Sequence, residues 1–273
     1  MTAELSTPDT SRTELPPAFV RLDGVEKAFR TRGHVLRALD RISLDLAEGE
    51  FVSIVGPSGC GKSTLLMLIA GLLTPTAGEV VILGDRVTRP YTRLGVAFQQ
   101  DALLPWRSVL DNVLLQIDVR GLDRRQYTPA ARGLLARVGL AGFETYYPPE
   151  LSGGMRQRVA LCRALVHDPP LLLMDEPFGA LDALTREQMV VDLQRLWLET
   201  RKTVLFITHS IWEAIFLADR VLVMSPRPAR IAAALSIDLP RPRRLALRES
   251  PDFGRYATEV RRHFQAFGLL SET

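Results

Sequence analysis

The run Gly56-Pro57-Ser58-Gly59-Cys60-Gly61-Lys62-Ser63-Thr64 follows directly on the apolar stretch Phe51-Val52-Ser53-Ile54-Val55. It fits the phosphate-loop pattern G-x-x-x-x-G-K-[ST] in the strand, loop, helix order that the pattern needs. Glycines let the backbone curl so that successive N–H groups converge on a phosphate. The helix that starts near Lys62 adds the positive end of its dipole. Lys62 can bridge the β- and γ-phosphates, and the Ser63 hydroxyl can ligate Mg²⁺. The segment therefore predicts a nucleoside triphosphate site and an α/β fold around it.

Composition narrows the setting. A chain of 273 residues with 47% apolar content can bury one large α/β domain or two small ones. The formal charge of +3 is spread along the chain and is weak grounds for a nucleic-acid partner. Only Lys27, Lys62 and Lys202 are lysines, against 34 basic residues in all. A lysine thus stands in the phosphate loop of an arginine-rich chain, where a compact point charge is wanted. Cys60 and Cys162 read as two reduced thiols of a cytosolic protein. Residues 1–19 are polar and carry Pro8, Pro16 and Pro17, so they do not read as a secretory signal. No apolar run reaches the roughly 18 residues of a membrane span.

Residues 1–18 read as a disordered lead-in. Phe19–Leu22 and Ile42–Leu46 alternate like half-buried strands around a turn at Arg32-Gly33, so an antiparallel β region precedes the phosphate loop. Further strands are expected at Val80–Leu83 and Leu94–Phe98. Residues 109–142 show apolar spacing of helical period and suggest a helical insert, spanning about 100–165 with the segment that follows it. The continuous apolar runs Leu171–Met174, Val204–Ile207 and Val221–Met224 suit a parallel sheet covered on both faces. The stretch after Pro226 is rich in Arg and Pro and reads as a solvated tail over 237–273 with a short helix near Tyr256–Phe267.

Further segments refine the chemistry. Leu171-Leu172-Leu173-Met174-Asp175-Glu176 is a buried strand ending in two acids, the position where ligands bind in open α/β sheets. Asp175 is suited to hold Mg²⁺ through water, and Glu176 to polarise an attacking water. Leu151-Ser152-Gly153-Gly154-Met155-Arg156-Gln157-Arg158 reads as a helix start with Ser152 as N-cap, a second place where backbone N–H groups can meet an anion.

The order of these motifs resembles the ATP-binding-cassette ATPases: L-S-G-G-x-x-Q-R stands between a phosphate loop and an apolar-Asp-Glu strand. The resemblance spans about residues 19–236. It implies a P-loop NTPase core with a mainly parallel sheet, an N-terminal antiparallel β subdomain and a helical signature-motif subdomain. It further implies that Gln99, with Gln100 adjacent, senses Mg²⁺ and the γ-phosphate. Asp182 would lie in a loop linking two nucleotide sites, and His209 would act as a switch at the γ-phosphate. Phe29 falls where an aromatic stacks on adenine, though a plain core role remains open for it. Ser152, Gly153 and Gly154 would complete the ATP site of a second copy, giving an ATP-bound homodimer that opens on hydrolysis.

Within that family the stretches Leu103-Leu104-Pro105-Trp106, Asp175–Asp182 and Leu217–Pro228 resemble the cassettes of nitrate, sulfonate and taurine importers, a group that also serves pyrimidine precursors. That implies separate transmembrane permease subunits, a periplasmic or lipid-anchored solute-binding protein, and a peripheral place on the cytoplasmic face of the cell membrane. Leu103, Leu104 and Trp106 would either dock a permease helix or pack under the helical insert. A soluble cassette acting on nucleic acid and an efflux ATPase are the competing readings. One cassette without heptads or paired cysteines argues against the first, and the importer-like stretches argue against the second. Ser210 departs from the Asp commoner after the switch histidine. The chain's length implies no separate C-terminal regulatory domain.

Overall fold

The computed structural model describes residues 18–31 and 33–269. The lead-in expected over 1–18 and the Arg32 half of the expected turn therefore fall almost wholly outside the described residues. In chain order the elements are β1 (Val20–Thr31), β2 (His34–Leu46), β3 (Phe51–Val55), α1 (Lys62–Ile69), β4 (Ala77–Ile82), β5 (Asp85–Arg86) and β6 (Leu94–Ala97). Then come α2 (Val109–Val113), α3 (Leu115–Val119), α4 (Arg124–Arg137), α5 (Gly153–Leu165), β7 (Leu171–Asp175) and α6 (Ala183–Thr200). The chain closes with β8 (Thr203–Ile207), α7 (Ile211–Leu217), β9 (Arg220–Met224), β10 (Ile231–Ser236) and α8 (Pro251–Ala266).

Two sheets result. The larger has the order β10-β9-β3-β8-β7-β6 and is parallel except for the edge pair β9–β10. Its central strands are mostly apolar because both faces are covered. Val204 and Phe206 of β8 enter one core with α6, α7 and α8, while Leu205 and Ile207 enter the other with α1 and the second sheet. That division follows from the two-residue period of a strand. The second sheet is antiparallel, with the order β2-β1-β4-β5. A third core, built around Val109, Val113, Ile117, Leu135 and Val159, holds α2 to α5 together.

The strands expected near Phe19–Leu22, Ile42–Leu46, Val80–Leu83, Leu94–Phe98, Leu171–Met174, Val204–Ile207 and Val221–Met224 are present, but β1 and β2 run well beyond their expected stretches, and there are two further differences. The two-residue β5 and the edge strand β10 carry too little periodic signal to stand out. The stretch expected as a solvated Arg- and Pro-rich tail is packed instead. Its helix runs for 16 residues, and Phe253, Tyr256, Ala257 and Val260 enter the main core at spacings of three, one and three. That is the stripe an amphipathic helix lays on a core. Arg243 is only 3% exposed, its guanidinium donating to the carbonyls of Ile215, Phe216, Ala218, Ile237 and Leu239. Among the described residues no helix is long and apolar enough to cross a membrane.

Candidate phosphate site

The loop between β3 and α1 is built from backbone conformations that favour glycine. Gly59 has φ 71° and Gly61 φ 127°. A Cβ added at Gly61 would come 2.8 Å from Leu39 Cδ2, so the turn into α1 has neither the torsional freedom nor the room for a side chain. Ser58, Gly59, Gly61, Lys62, Ser63 and Thr64 line a cleft of about 390 Å³ together with Gln99 and Glu176. Lys62 is 5% exposed and donates to the carbonyls of Gly56 at 2.9 Å and Pro57 at 3.0 Å. The ammonium is thereby held across the loop, with its third proton free for an incoming oxygen. Gly56, Pro57 and Cys60 form the loop's floor: a Cβ on Gly56 would meet the Met224 carbonyl at 3.0 Å, and Cys60 N–H donates to Pro57 at 3.3 Å. Burial pushes the Cys60 thiol up, and it pushes Cys162 up to about 12, so both sulfurs are protonated packing groups.

The two acids at the end of β7 face this loop but diverge. Glu176 has φ 47°, a left-handed turn fixed by its N–H donating to Ile207 at 2.8 Å and its carbonyl accepting from Gly179 at 3.0 Å. The turn aims the carboxylate into the cleft, with Oε1 4.0 Å from Lys62 Nζ and Oε2 3.1 Å from His209 Nδ1. His209 is half exposed at the end of β8, so its ring has one nitrogen on Glu176 and reaches solvent. Gln99 lines the same cleft, and its Nε2 lies so close to Gly179 that a Cβ there would stand 3.5 Å away. Gln100 lines only the neighbouring hollow, with Asp101 and Arg156.

Asp175 shares a hydrogen bond with the Ser63 hydroxyl, and its carboxyl lies above the ordinary range. Burial is the largest cause, opposed by the Ser63 bond, with the negative charge of Glu176 adding to the rise and Lys62 opposing it. A hydroxyl and a carboxylate side by side are the hard oxygen donors that Mg²⁺ prefers, and Mg²⁺ uses few protein ligands beside water and phosphate. The residues therefore fit that ion. A carboxylate kept where its charge is disfavoured costs stability. Asp175→Asn is accordingly expected to raise the melting temperature of the protein, measured without nucleotide, by about 2–4 °C. The same variant should lose the extra thermal protection that MgATP gives over ATP with EDTA. An unchanged or lower Tm would mean that Asp175 is not strained.

Other residues singled out from the sequence lie elsewhere. Ser152 caps α5, accepting from Met155 N–H at 3.3 Å; it and Gly153 are exposed, and none of Ser152, Gly153 or Gly154 lines the phosphate cleft. Asp182 caps α6 through Thr185 N–H at 3.1 Å. Phe29 on β1 is half-buried against the core under the antiparallel sheet, with Lys27 Nζ 5.3 Å from its ring centroid. The Leu103–Trp106 cluster divides: Leu103 is buried in the helical core, while Trp106 is 71% exposed. Asn112 holds this loop by accepting from Leu104 N–H at 2.8 Å and donating to the carbonyls of Leu104, Arg107 and Ser108.

Sequence reasoning passed over the side chains that hold the loops. Gln157 Nε2 donates to the Gln99 carbonyl at 2.9 Å, and Arg156 binds Asp101 at 2.9 Å, so the capped helix α5 carries the segment after β6. Glu213 and Arg186 lie behind the His209 and Asp182 loops. The one signal available for Glu213 was an acid inside the apolar run Ile211–Leu217.

Comparison with known proteins bears on this geometry. The family described as ABC transporter matches residues 39–179. The taurine import ATP-binding protein TauB of Rhizobium johnstonii is 49% identical over 250 residues, 89% of this chain and 95% of the relative. TauB of Yersinia pestis is 51% identical over 201 residues, 74% of this chain and 79% of the relative. An uncharacterized ABC transporter ATP-binding protein of Methanocaldococcus jannaschii is 47% identical over 224 residues, 82% of this chain and 84% of the relative. Among solved structures, a dimeric bacterial ABC transporter cassette superposes with TM-score 0.72 at 34% identity, covering 81% of this chain and 99% of that one. A post-hydrolysis state of that cassette, bound to ADP and phosphate, superposes at 0.70 with the same identity and coverage.

Proposed function

Because the chain belongs to the ABC transporter family, we propose that it is the ATP-hydrolysing subunit that powers import of a small solute through separate membrane permease subunits. The solute is of the nitrate, sulfonate or taurine kind, or a pyrimidine precursor. The observation that carries this reading is the 49% identity that runs through 95% of a taurine import ATP-binding protein.

Lys62, Ser63, Gln99 and Glu176 line the cleft, and the roles of the other residues rest on the resemblance to the family. Gly56, Pro57, Ser58, Gly59, Cys60, Gly61 and Thr64 form the loop that wraps the phosphates, and Lys62 meets the β- and γ-oxygens. Ser63, Asp175 and Gln99 hold the metal side. Mg²⁺, when bound, would neutralise charge developing on the phosphate oxygens. Glu176 accepts a proton from the attacking water, while His209 orients it from the other side. Phe29 offers an apolar face to the adenine. The exposed helix start at Ser152, Gly153 and Gly154 meets the nucleotide of a second copy, and Asp182 lies between the two sites. Such a dimer sits against the permease on the cytoplasmic face of the membrane, with a solute-binding protein acting from the far side.

The test uses the full chain purified with the permease subunits that accompany it, reconstituted in proteoliposomes. Taurine, other alkanesulfonates, nitrate and pyrimidine precursors are supplied in turn with the matching binding protein. The expected result is MgATP-dependent uptake of one of these solutes, with ATP hydrolysis stimulated by the loaded binding protein. Movement in the opposite direction, or hydrolysis indifferent to every solute, would overturn the importer reading. Steeply salt-dependent DNA binding would favour a cassette that acts on nucleic acid.

A further inference from the structure

Glu213 is 4% exposed, an acid inside the apolar helix α7 beside Ala214, Ile215, Phe216 and Leu217, which are fully buried. An acid so placed needs partners. On one side the Thr208 hydroxyl donates to Glu213 Oε2 at 2.5 Å, and the same Thr208 oxygen accepts from Ser210 N–H at 3.0 Å. Both ends of the His209 peptide unit are thereby pinned. On the other side Arg186 Nε stands 3.8 Å from Glu213 Oε1, while Arg186 Nη2 donates to the carbonyls of Leu181 at 3.0 Å and Gly179 at 3.3 Å. Those two residues belong to the loop between Glu176 and Asp182.

Thus one buried carboxylate joins the two loops that converge on the phosphate cleft. Glu176 starts one of them and already touches His209 in the other at 3.1 Å. The Arg186 Nε–H is buried without a hydrogen-bond partner. A shift of about 1 Å would bring it to bonding distance of Glu213. The link on the Arg186 side is therefore a long ion pair without a hydrogen bond. Ser210, which departs from the Asp commoner at that place in the family, makes no side-chain cap on α7, so Thr208 and Glu213 hold the start of that helix.

We propose that Glu213 is a positioning residue for hydrolysis, which fixes His209 against Glu176 by tying the His209 loop, through Arg186, to the loop that carries Asp182. It touches no substrate. The proposal rests on the reading of His209 and Glu176 as the groups that handle the attacking water, and its test separates the two.

Glu213→Gln keeps the acceptor for Thr208 and presents an amide N–H₂ to Arg186, so it cuts the link on one side without a change of size. Steady-state hydrolysis by the full chain is measured for Glu213→Gln, His209→Ala and the double variant, together with amide hydrogen exchange of the protein without nucleotide. The expected result is a fall in kcat of about tenfold for Glu213→Gln with KM for ATP within about twofold. The double variant should be no slower than His209→Ala alone, since both changes act on one group. The Gly179 and Leu181 amides should exchange about tenfold faster. Wild-type kcat in Glu213→Gln, losses that multiply in the double variant, or unchanged exchange would each overturn the proposal. Normal turnover in His209→Ala would overturn the reading of His209 itself. If Glu213→Gln does not fold, Thr208→Val severs the other side of the link. It is expected to give the same loss of kcat, again absorbed by His209→Ala, and additivity there would overturn the proposal too.

Discussion

Glu176→Gln is expected to lower ATP turnover roughly a thousandfold while nucleotide binding stays within a few-fold of the parent, the scale a general base contributes. The substitution keeps shape and a hydrogen-bonding oxygen but removes the negative charge that draws a proton from water. Backbone geometry should survive it, because the left-handed turn is held by main-chain bonds from Glu176 to Ile207 and Gly179. Affinity for ATP should survive as well. In the proposed roles the phosphate contacts fall to the glycine loop and Lys62, whose ammonium is anchored on Gly56 and Pro57 and stands 4.0 Å from Glu176. With binding intact and cleavage stopped, a species closed by ATP has no route to open. Size-exclusion chromatography with light scattering should then show a dimer with MgATP that reverts to monomer with ADP. Hydrolysis near the parent rate would remove Glu176 from the role of base. A dead enzyme that stays monomeric in saturating MgATP, both free and with its permease, would remove the paired arrangement.

The parts of this molecule that were legible in the sequence are those whose physics is local. The glycine loop announces itself because positive φ and close approach demand glycine at Gly59 and Gly61. Strands β3, β7, β8 and β9 announce themselves because a strand covered on both faces is a nearly continuous apolar run, broken here only by Ser53, Asp175, Thr203 and Arg220. Asp175 and Glu176 were readable as the acids that end such a strand. What escaped notice depends on distant parts of the chain. Arg243 looks like one of a run of solvated arginines, and only the fold supplies the five carbonyls that accept from it. Arg186 and Glu213 lie 27 residues apart in sequence, and neither position is marked by periodicity. The pairing of Gln157 with the Gln99 carbonyl spans 58 residues. It is invisible until α5 lies beside the segment after β6. Trp106 and Leu103, two apolar neighbours in one motif, take opposite fates because only Leu103 faces the helical core.

Arg243→Met is expected to destabilise the protein by about 3–5 kcal/mol, the scale for breaking a buried charged network, and to lower Tm by about 10 °C. Nη1 donates to the carbonyls of Ile215, Phe216 and Ala218 at 2.8, 3.1 and 2.7 Å, the last turn of α7. Nη2 donates to Ile237 and Leu239 at 3.2 and 3.4 Å, in the segment after β10. One side chain thus supplies a helix C-terminus and an irregular strand exit with the donors that neither can find in its own backbone. Methionine fills similar space with no donor, leaving those carbonyls dry. The backbone of residue 243 stays anchored, since its N–H donates to Gln194 Oε1 at 2.7 Å and its carbonyl accepts from Gln194 Nε2 at 2.8 Å. The loss therefore reports on the guanidinium alone. Burial, reinforced by the nearby Arg241 charge, lowers Arg243 to about 10. A base depressed on folding is released first in the folded state, so its penalty eases only as pH climbs toward and past 10. Below about pH 9 it is charged in both states, and urea unfolding at pH 6 and pH 8 should give the same difference between Arg243→Met and its parent. Arg243→Lys should recover only part of the loss, because a compact ammonium with three donors cannot span two separate groups of carbonyls. A difference under about 1 kcal/mol for Arg243→Met would show that other donors satisfy α7, and that the C-terminal segment is held by the apolar face of α8 rather than by this pin.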